Sequence, residues 1–437
     1  MLQKISDLAE DFLNNSKNKK VRVISHFDTD GITSAVILSK TLSRLNIPFT
    51  IRILKNLETE FIEELKKELD NEIVIFSDLA SGHLEELKEI ENVYILDHHQ
   101  INKEVPENIK IINPQIFDKE EISAAGLCYL FSKAISKNNV DLANLAIIGM
   151  VGDMLEKNLG KLNNEILNDS EEVIIKKGLL LFGATRPLSK ALEFSSSMFI
   201  PGVTGNHIGA VKLLRELNIN KNKTIFELEE EEISKLLTAI LVRKSGDKKE
   251  LDKIIGNIYL VKFFNKLEDA RELSSLINAC SRLGRTDVSL CLCLGSKKAR
   301  KKAEKIYAQY RQEIVAGMNF ANNNKNQGKG YVIIDAEDNI KDSMIGTITS
   351  ILSFSSVYEE GTVLVGLANS GKKIKISSRI SGRNGRDLCE MLTKATNEID
   401  AEAGGHKQAA GCLIPKDKKE EFLKSLKKEL EIETIKI

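Results

Sequence analysis

Short runs of consecutive apolar residues alternate with longer segments of helical spacing through the first third of the chain. The apolar runs begin at Val21, Phe49, Ile73 and Val93. Such runs are typical of strands that are buried on both faces of a sheet. Because strands and helices alternate, the pattern predicts a parallel, doubly wound α/β sheet. We expect this first domain to span residues 1–184.

The elements that this pattern predicts can be placed along the chain. The predicted strands cover residues 21–25, 49–54, 73–76, 93–96 and 109–112. The predicted helices cover residues 31–45, 58–69, 83–90, 122–136 and 140–151. Each predicted strand therefore ends in a short segment that enters either a helix or a loop.

The rest of the chain has a different pattern. Residues 185–320 show mainly helical spacing and end in a long polar helix over 297–320, although alternation over 288–294 predicts one buried strand. Residues 322–330 are polar, carry glycine and lack periodicity, which predicts a linker. Strand-like runs at 331–335, 363–368 and 373–378 then predict a smaller α+β domain over 328–437, joined to the first by the long helix.

Composition and charge narrow the class of protein. A chain of 437 residues exceeds one typical core, so two or three domains are expected. Its formal net charge is zero, which argues against a non-specific polyanion binder. The absence of a long apolar run predicts no membrane span, and the N-terminal residues lack the pattern of a signal peptide. Six cysteines without a C-x-x-C pair agree with a cytoplasmic protein whose cysteines are structural.

Acidic and histidine side chains follow the apolar runs where the predicted strands end. Asp97-His98-His99 comes directly after the run at 93–96, and Asp78 follows the run at 73–76. Because ligands bind at the carboxyl ends of parallel strands, we expect these groups to meet at one edge of the sheet. The full set, which includes one residue at the end of a predicted helix, is His26, Asp28, Asp30, Asp78, Asp97, His98, His99 and Asp153.

This mixture of side chains predicts a metal site. Carboxylates and imidazoles without thiolates suit Mn²⁺ or Mg²⁺ better than structural zinc. A calcium loop would need further ligands at Ile32, Ser34 and Val36, which do not supply them. The set is large enough for two ions, and two ions about 3.5–4 Å apart can clamp a phosphoryl group for in-line displacement. Phosphoester hydrolysis is therefore the leading reaction.

A second motif lies near the C-terminus. Gly404-Gly405 would allow the backbone to approach an anion closely, and His406 could donate to a phosphate oxygen. A strand-to-helix turn is the alternative interpretation of the same residues. Four of the six histidines fall in this motif and the strand-end motifs, which favours a functional role. With no tryptophan and seven tyrosines, an extensive base-stacking platform is not expected.

These motifs resemble those of the DHH phosphoesterase superfamily, in the group with a DHHA1-type C-terminal domain. More closely, the chain resembles the archaeal RecJ-like single-strand exonucleases. The resemblance rests on segments 26–31, 77–82, 97–99 and 152–153 for the DHH domain, and on 377–379 and 403–411 for the DHHA1 domain. Residues 123–126 are similar to the segment that opens a helix after the third motif. The resemblance is weakest over about 185–320.

The resemblance implies a role for each of these residues. Asp97 would orient a histidine, His99 would stabilise charge on the phosphoryl group, and Arg379 and His406 would hold a phosphate at a site between the domains. The implied metal ligands, with Asp78 shared by two ions, are His26, Asp28, Asp30, Asp78, His98 and Asp153. The implied substrate-binding residues are Ser123, Ser377, Ser378, Arg379, Gly404, Gly405 and His406.

The function that follows is a metal-dependent exonuclease that releases nucleoside monophosphates from single-stranded nucleic acid. The family implies two divalent cations, above all Mn²⁺ with Mg²⁺ as the second choice, and 5′ to 3′ polarity on DNA, with RNA as a further substrate. Proteins of the replicative helicase assembly (GINS-like) are the implied partners. DNA or RNA preference, polarity, physiological metal, oligomeric state and the purpose of residues 185–320 stay open.

Three alternatives stay open as well. One is an oligoribonuclease, cyclic-dinucleotide phosphodiesterase or phosphoadenosine phosphatase of the same superfamily. Another is an inorganic pyrophosphatase, which the C-terminal glycine-histidine motif disfavours. The third is a non-catalytic replication scaffold, like the eukaryotic helicase cofactor related to RecJ. Such scaffolds lose metal ligands, whereas this chain retains every one that the motifs place, and this favours an enzyme.

Overall fold

The computed structural model shows two compact units, Met1–Tyr307 and Ala308–Ile437. The residues described are 1–101, 104–117, 120–156, 159–181, 183–195, 200–243, 254–354, 357–382, 384–397, 399, 401 and 403–431. None of the helices within these ranges combines the length and hydrophobicity needed to cross a bilayer.

The first unit begins with a parallel sheet of five strands. Its strands are β1 (Val21–His26), β2 (Phe49–Leu54), β3 (Ile73–Ser77), β4 (Val93–Leu96) and β5 (Lys110–Ile112). Their order across the sheet is β2-β1-β3-β4-β5, and every neighbouring pair is parallel. The chain turns to opposite sides of β1 to form β2 and β3, so the carboxyl ends of β1 and β3 flank the switch point where such sheets bind ligands.

Helices cover both faces of this sheet. Alternate strand residues such as Val23 and Ile75 pack in one apolar cluster, and Ile24 and Phe76 pack in another, because successive side chains point to opposite faces. The helices are α1 (Leu2–Asn15), α2 (Thr29–Arg44), α3 (Thr59–Glu68), α4 (Leu84–Leu87), α5 (Ala124–Ile135), α6 (Ala143–Gly152) and α7 (Lys161–Asp169). The predicted doubly wound sheet is confirmed, and its five strands lie within one residue of their predicted bounds.

The remainder of the first unit is helical but also contains a sheet that the sequence analysis did not predict. Strands β6 (Ile174–Leu179), β7 (Ile255–Phe263) and β8 (Lys266–Asp269) pair antiparallel in that order. The helices are α8 (Leu188–Glu193), α9 (His207–Glu216), α10 (Glu230–Arg243), α11 (Ala270–Arg282) and α12 (Thr286–Cys293). Helices α8–α10 and the inner face of β6 and β7 share an apolar core of their own.

The predicted strand over 288–294 is wrong, because these residues lie in α12 and its C-cap. Alternation in a short apolar run does not separate a strand from a buried helix, and here the helix buries Val288, Leu292 and Cys293 while Cys291 is exposed. All six cysteines are free thiols.

A 27-residue helix, α13 (Lys297–Asn323), begins in the first unit and ends in the second, as the sequence predicts. The second unit contains a six-stranded mixed sheet of order β13-β14-β12-β11-β10-β9. The strands are β9 (Lys325–Gly328), β10 (Tyr331–Asp335), β11 (Val363–Ser370), β12 (Lys373–Ile380), β13 (Ala403–His406) and β14 (Ala409–Pro415). Helices α14 (Asp342–Ser353), α15 (Leu388–Thr396) and α16 (Lys419–Glu431) pack with it.

Two predictions about this unit need correction. The predicted linker over 322–330 is instead the end of α13 followed by β9, which pairs antiparallel with β10. Gly330, with a φ of +76°, lies in the turn between them, so the glycine that suggested a loop belongs to a hairpin. The alternative interpretation of Gly404–His406 as a strand-to-helix turn is also wrong, because these residues form β13 and pair with β14.

Candidate metal centre

The first group of polar side chains lies where β1 turns into α2. His26 ends β1, and Asp28 is the N-cap of α2, where its carboxylate accepts the backbone N–H of Gly31 at 3.1 Å. A Cβ at Gly31 would lie 2.3 Å from the carbonyl oxygen of His26, so only glycine fits this tight turn. The turn places the imidazole of His26 and the carboxylate of Asp28 side by side, with Nδ1 and Oδ2 3.0 Å apart.

Asp78 follows β3 in a backbone conformation that is rare for residues other than glycine. Its φ is +58°, and its N–H donates to the carbonyl of Leu96 at 3.1 Å, which ties it to the end of β4. Strained conformations of this kind cost about 1–3 kcal/mol and cluster at functional sites. The side chain of Asp78 is almost fully buried. This backbone conformation, fixed by the hydrogen bond to Leu96, places a buried carboxylate among the strand ends.

The carboxylate of Asp97 makes hydrogen bonds to three neighbouring residues. Its fully buried carboxylate accepts the backbone N–H groups of Ser81 (3.0 Å) and His98 (2.8 Å) and lies 2.7 Å from Nδ1 of His99. Although burial raises the pKa of Asp97, the hydrogen bond and charge of His99 outweigh it and hold the pKa well below its usual value. Asp97 is therefore ionised and contacts the imidazole of His99 and the backbone of His98, and the positioning role that the resemblance implies stays a prediction.

Three helices place Asp30 and Asp153. Asp30 lies in the first turn of α2, and its carboxylate accepts the backbone N–H groups of Ala124 (2.7 Å) and Ala125 (2.9 Å) at the start of α5. Asp153 is the C-cap of α6, where its N–H donates to the carbonyl of Gly149 at 3.0 Å. Three helices therefore fix two further carboxylates near the ends of β1 and β3.

The donor atoms of these residues converge into groups that could each hold a cation. In each group the donor atoms lie within 4.8 Å of one another. The groups are His26, Asp28 and Asp78; Asp30, His98 and Asp153; and Asp78, Asp97, His98 and His99. The structure thus brings together all eight residues of the predicted set, and their role as ligands stays a prediction.

Asp78 lies between two of these groups. Its Oδ2 is 3.3 Å from Nδ1 of His26, whereas its Oδ1 is 3.4 Å from Nε2 of His98. The same Nε2 of His98 lies 3.2 Å from Oδ2 of Asp153. One carboxylate therefore directs its two oxygens toward two different donor groups, which is the arrangement that a shared ligand requires.

The electrostatics of the cluster favour a bound cation. Within the described ranges, all ion pairs of these carboxylates are with histidines and none is with lysine or arginine. Burial, together with the carboxylates of Asp153 and Asp78, raises the pKa of Asp30 well above its usual value. Burial also raises the pKa of Asp153 to about 7, against the opposing charge of His98. Crowded, buried carboxylates without a lysine or arginine partner fit a divalent cation.

The pKa values of two histidines in the cluster are also raised, which favours their charged form. Burial alone would lower the pKa of His98, but the carboxylates of Asp78 and Asp153 outweigh it and raise the pKa to about 10. The carboxylates of Asp28 and Asp78 similarly outweigh burial and raise the pKa of His26 well above its usual value. Without metal, the histidines therefore carry protons that a cation would replace.

The predicted residues of the second unit lie on neighbouring strands. Cross-strand pairing runs from Arg379 on β12 through Ala409 on β14 to His406 on β13, so these side chains share one face of the sheet. The guanidinium of Arg379 donates to the hydroxyls of Ser350 (2.9 Å) and Ser377 (3.3 Å). His406 is exposed, and so are Gly404 and Gly405.

Two predicted substrate-binding serines have buried hydroxyls that bond within the protein. Ser378 donates to the carbonyl of Ala410 at 2.9 Å, and Ser123 is the N-cap of α5, accepting the N–H of Gly126 at 3.1 Å. The structure thus gives both residues a structural contact, and a role in substrate binding stays a prediction for them.

Sequence reasoning missed two residues, one that contacts the donor cluster and one that contacts Arg379 in the second unit. The side-chain amide of Asn113 donates to the carbonyl of His99 at 2.8 Å and to the hydroxyl of Ser81 at 2.9 Å. Asn113 directly follows β5, so the same strand-end signal that identified Asp78 could have found it. Ser350, which contacts Arg379, carries no such signal because it lies in a helix 29 residues earlier in the chain.

Models of three protein families match the chain. One described as the DHH family, N-terminal domain, matches residues 20–150, and one described as the DHHA1 domain matches residues 328–431. A third, described as Archaeal Cdc45, matches residues 124–365, more than half of the chain. The chain belongs to the archaeal Cdc45 family. The matches confirm the DHH and DHHA1 resemblance, and the third spans the middle region where the motifs gave least guidance.

Similar proteins agree with this membership. An uncharacterized protein of Methanocaldococcus jannaschii is 32% identical over 422 residues, which cover 92% of this archaeal Cdc45-family chain and 91% of the relative. Among solved structures, CDC45 from Entamoeba histolytica has a TM-score of 0.65 at 14% identity, covering 98% of this chain and 99% of that one. At such identity the likeness establishes the fold.

A second solved structure is RecJ from Thermus thermophilus in complex with Mn²⁺. Its TM-score is 0.62 at 17% identity, with 97% of this chain covered. Only 54% of the RecJ chain is covered, so the archaeal Cdc45-family chain spans about half its length. The likeness establishes a RecJ-like fold over nearly the whole of this chain.

Proposed function

We propose that this protein is a metal-dependent exonuclease that hydrolyses phosphodiester bonds in single-stranded nucleic acid and releases nucleoside monophosphates. The observation that carries the proposal is Asp78, whose two carboxylate oxygens face two separate donor groups. A carboxylate shared in this way is what a two-cation phosphoryl-transfer site needs. We propose RecJ-like 5′ to 3′ polarity on DNA, with RNA as a further substrate.

The donor set fits two divalent cations, with Mn²⁺ preferred to Mg²⁺ because imidazoles accompany the carboxylates. His26, Asp28 and Asp78 would hold one cation, and Asp30, Asp78, His98 and Asp153 would hold the other. Bound there, the cations would supply Lewis-acid polarisation of the phosphoryl group. RecJ from Thermus thermophilus has been solved in complex with Mn²⁺ and also in complex with Mg²⁺, and the similarity to it supports divalent cations at this site.

The chain's own residues would position and neutralise the phosphoryl group. Nδ1 of His99 is held by Asp97, and the side chain is half exposed, so its Nε2 is directed away from that carboxylate. The hydrogen bond to Asp97 raises the pKa of His99, against the effect of burial, and favours the charged imidazolium. His99 would thus donate a charge-assisted hydrogen bond to a phosphoryl oxygen.

The second unit would bind the nucleic acid. Arg379 and His406 present cationic or donor groups on one face of the sheet, and open space adjoins Gly404 where a Cβ would meet no atom within 4 Å. Ser377 would add a hydroxyl beside Arg379. We propose that these residues, with Gly405, Ser378 and Ser123, form the substrate-binding set.

The boundaries proposed for the working protein are a DHH domain over 1–184, a middle region over 185–320 and a DHHA1 domain over 328–437. The match of the DHHA1 model to residues 328–431 supports the last boundary. We propose that the protein acts in the cytoplasm, since its cysteines are free thiols.

A second candidate function is a scaffold of the replicative helicase assembly, with GINS-like proteins as partners. The observation that favours it is the fold likeness to CDC45 over almost the full length of both chains. An oligoribonuclease or dinucleotide phosphodiesterase is the nearest catalytic alternative. The donor cluster favours catalysis, and a protein could serve as both enzyme and scaffold.

The test is product analysis with doubly labelled single strands of DNA and RNA, incubated with Mn²⁺ or Mg²⁺. We expect labelled monophosphates to be released from one end, and faster from a 20-mer than from a dinucleotide. Asp78→Ala and His98→Ala should abolish release, whereas Asp417→Ala, at an exposed site in the second unit, should not. If the wild-type protein cleaves no strand or dinucleotide with either metal, the nuclease proposal fails and capture of helicase proteins would favour the scaffold.

A further inference from the structure

Phe354 is an exposed aromatic residue at the end of α14. Its side chain is 75% exposed, and it is the one aromatic among the exposed large hydrophobic side chains of the described ranges. It is the C-cap of α14, where its N–H donates to the carbonyl of Ser350 at 3.1 Å. Fully burying a phenylalanine side chain is worth about 1.5–3 kcal/mol, so a ligand that covers this ring would gain part of that free energy.

The residues one and two turns before Phe354 lie next to Arg379 and Ser377, which are proposed above to bind the substrate. A half-exposed flank of α14 carries small residues at helical spacing, among them Gly346 and Ser350, and it ends at Phe354. The hydroxyl of Ser350 accepts from Nε of Arg379 at 2.9 Å, and a Cβ at Gly346 would lie 3.1 Å from Oγ of Ser377. Phe354 therefore lies one helical turn beyond the residue that contacts Arg379.

We propose that Phe354 stacks on the nucleobase of the nucleotide whose phosphate Arg379 binds. This inference rests on the proposed function and adds to it a residue that contacts the base of the substrate. One helical turn separates neighbouring side chains by about 5–6 Å, which suits the spacing between the phosphate and the base of one nucleotide.

The charge distribution along α14 fixes the orientation. Phe354 lies at the C-terminal end of the helix, where the dipole is negative and repels a phosphate. The positive charge lies one turn earlier, on Arg379. A phosphate beside Arg379 and a neutral ring against Phe354 is therefore the favourable arrangement, and the reverse arrangement is not. Stacking on one ring accepts every base, because every base has a π-face.

The experiment compares two single strands of equal length, one with bases and one built of abasic sugar-phosphate units. Hydrolysis with Mn²⁺ and binding by fluorescence anisotropy are measured for the full-length wild type and four variants. Phe354→Ala removes the ring, Phe354→Leu keeps an apolar side chain without a π-face, and Phe354→Trp restores a ring. Val315→Ala is the matched control, because Val315 is also exposed in the second unit.

We expect Phe354→Ala and Phe354→Leu to weaken binding of the base-bearing strand by about 5- to 150-fold and to leave the abasic strand unaffected. Phe354→Trp and Val315→Ala should match the wild type. Unchanged binding by Phe354→Ala, or an equal loss with the abasic strand, would overturn the inference. Binding is measured separately from turnover. A wild type that cleaves nothing would refute the proposed function, and the binding data would still decide whether Phe354 stacks on a base.

Discussion

Gly149 lies where three helices meet the metal centre, and replacing it with alanine tests how packing supports that centre. It belongs to α6, and its carbonyl accepts the N–H of Asp153. A Cβ at this position would lie 2.5 Å from Cβ of Ala125, 2.6 Å from Oδ1 of Asp30 and 2.8 Å from Oγ1 of Thr33. Ordinary contacts between carbon atoms are about 3.5–4.0 Å, so α2, α5 and α6 must separate.

The size of the effect follows from three terms. Overpacking a core costs about 1–3 kcal/mol. Displacing the carboxylate of Asp30 from the N–H groups of Ala124 and Ala125 loses a hydrogen bond to a charged group, which costs about 1.5–3 kcal/mol. Alanine in place of glycine inside a helix returns about 1 kcal/mol. We therefore expect Gly149→Ala to lower the free energy of unfolding by about 1.5–5 kcal/mol.

The assay is urea unfolding followed by circular dichroism, with and without Mn²⁺. The matched control is Gly82→Ala, because a Cβ at Gly82 would meet no atom within 4 Å. We expect Gly82→Ala to change stability by less than about 1 kcal/mol. Gly149→Ala should also reduce the stabilisation that Mn²⁺ provides, since Asp30 and Asp153 both move. Equal stabilities of the two variants would refute the close packing of these helices around the carboxylates.

Three further predictions concern the same centre. Met154 has a φ of +60°, so Met154→Gly should raise the free energy of unfolding of the protein by about 0.5–1 kcal/mol, as measured by urea unfolding. Asp97→Asn should lower turnover by about 10- to 100-fold, because the imidazolium of His99 loses its partner. In the metal-free protein, Asp153 (pKa about 7) and His98 (pKa about 10) bind protons more tightly when folded, so thermal stability should fall as pH rises from about 4 to about 10.

Each of these predictions has an outcome that would contradict it. A loss of stability in Met154→Gly would show that the side chain packs in the protein, despite its exposure. Full turnover by Asp97→Asn would remove His99 from the proposed chemistry. For the pH prediction, Asp153→Asn should flatten the decline between pH 4 and pH 7, and Mn²⁺ should oppose the decline because deprotonated donors bind metal. A decline that is identical in Asp153→Asn and the wild type would contradict the assignment.

The sequence predicted the first sheet and the donor cluster well because both depend on local signals. Strands buried on both faces are continuous apolar runs, and parallel strands align their carboxyl ends at one edge. The convergence of the side chains that follow β1, β3 and β4 could thus be predicted from the sequence alone. The sharing of Asp78 between two donor groups was implied only by family resemblance, since opposite directions of two oxygens leave no trace in the sequence.

The sequence patterns did not predict strands whose pairing partner is distant in the chain or whose segment is rich in glycine. Strand β6 pairs Ile174 with Leu260, and no local pattern announces a partner so far along the chain. In the second unit, Gly404 and Gly405 left a strand-to-helix turn open as the alternative interpretation, because glycine is depleted in strands. They form a strand nevertheless. Glycine is needed in it because a Cβ at Gly405 would lie 2.4 Å from the carbonyl oxygen of Ala409 on the paired strand.

The donor cluster also has a consequence for the resistance of the protein to proteolysis in the cell. Its members span residues 26–153, so cations bound there as proposed would link distant segments of the folded chain and would be absent from the unfolded chain. A cation at about 100 times its dissociation constant would add roughly 2.7 kcal/mol of stability. Cellular supply of divalent cations would then govern proteolytic turnover of this protein. A cell that carries a donor variant would lose the protein as well as its chemistry, and complementation experiments should measure protein abundance together with growth.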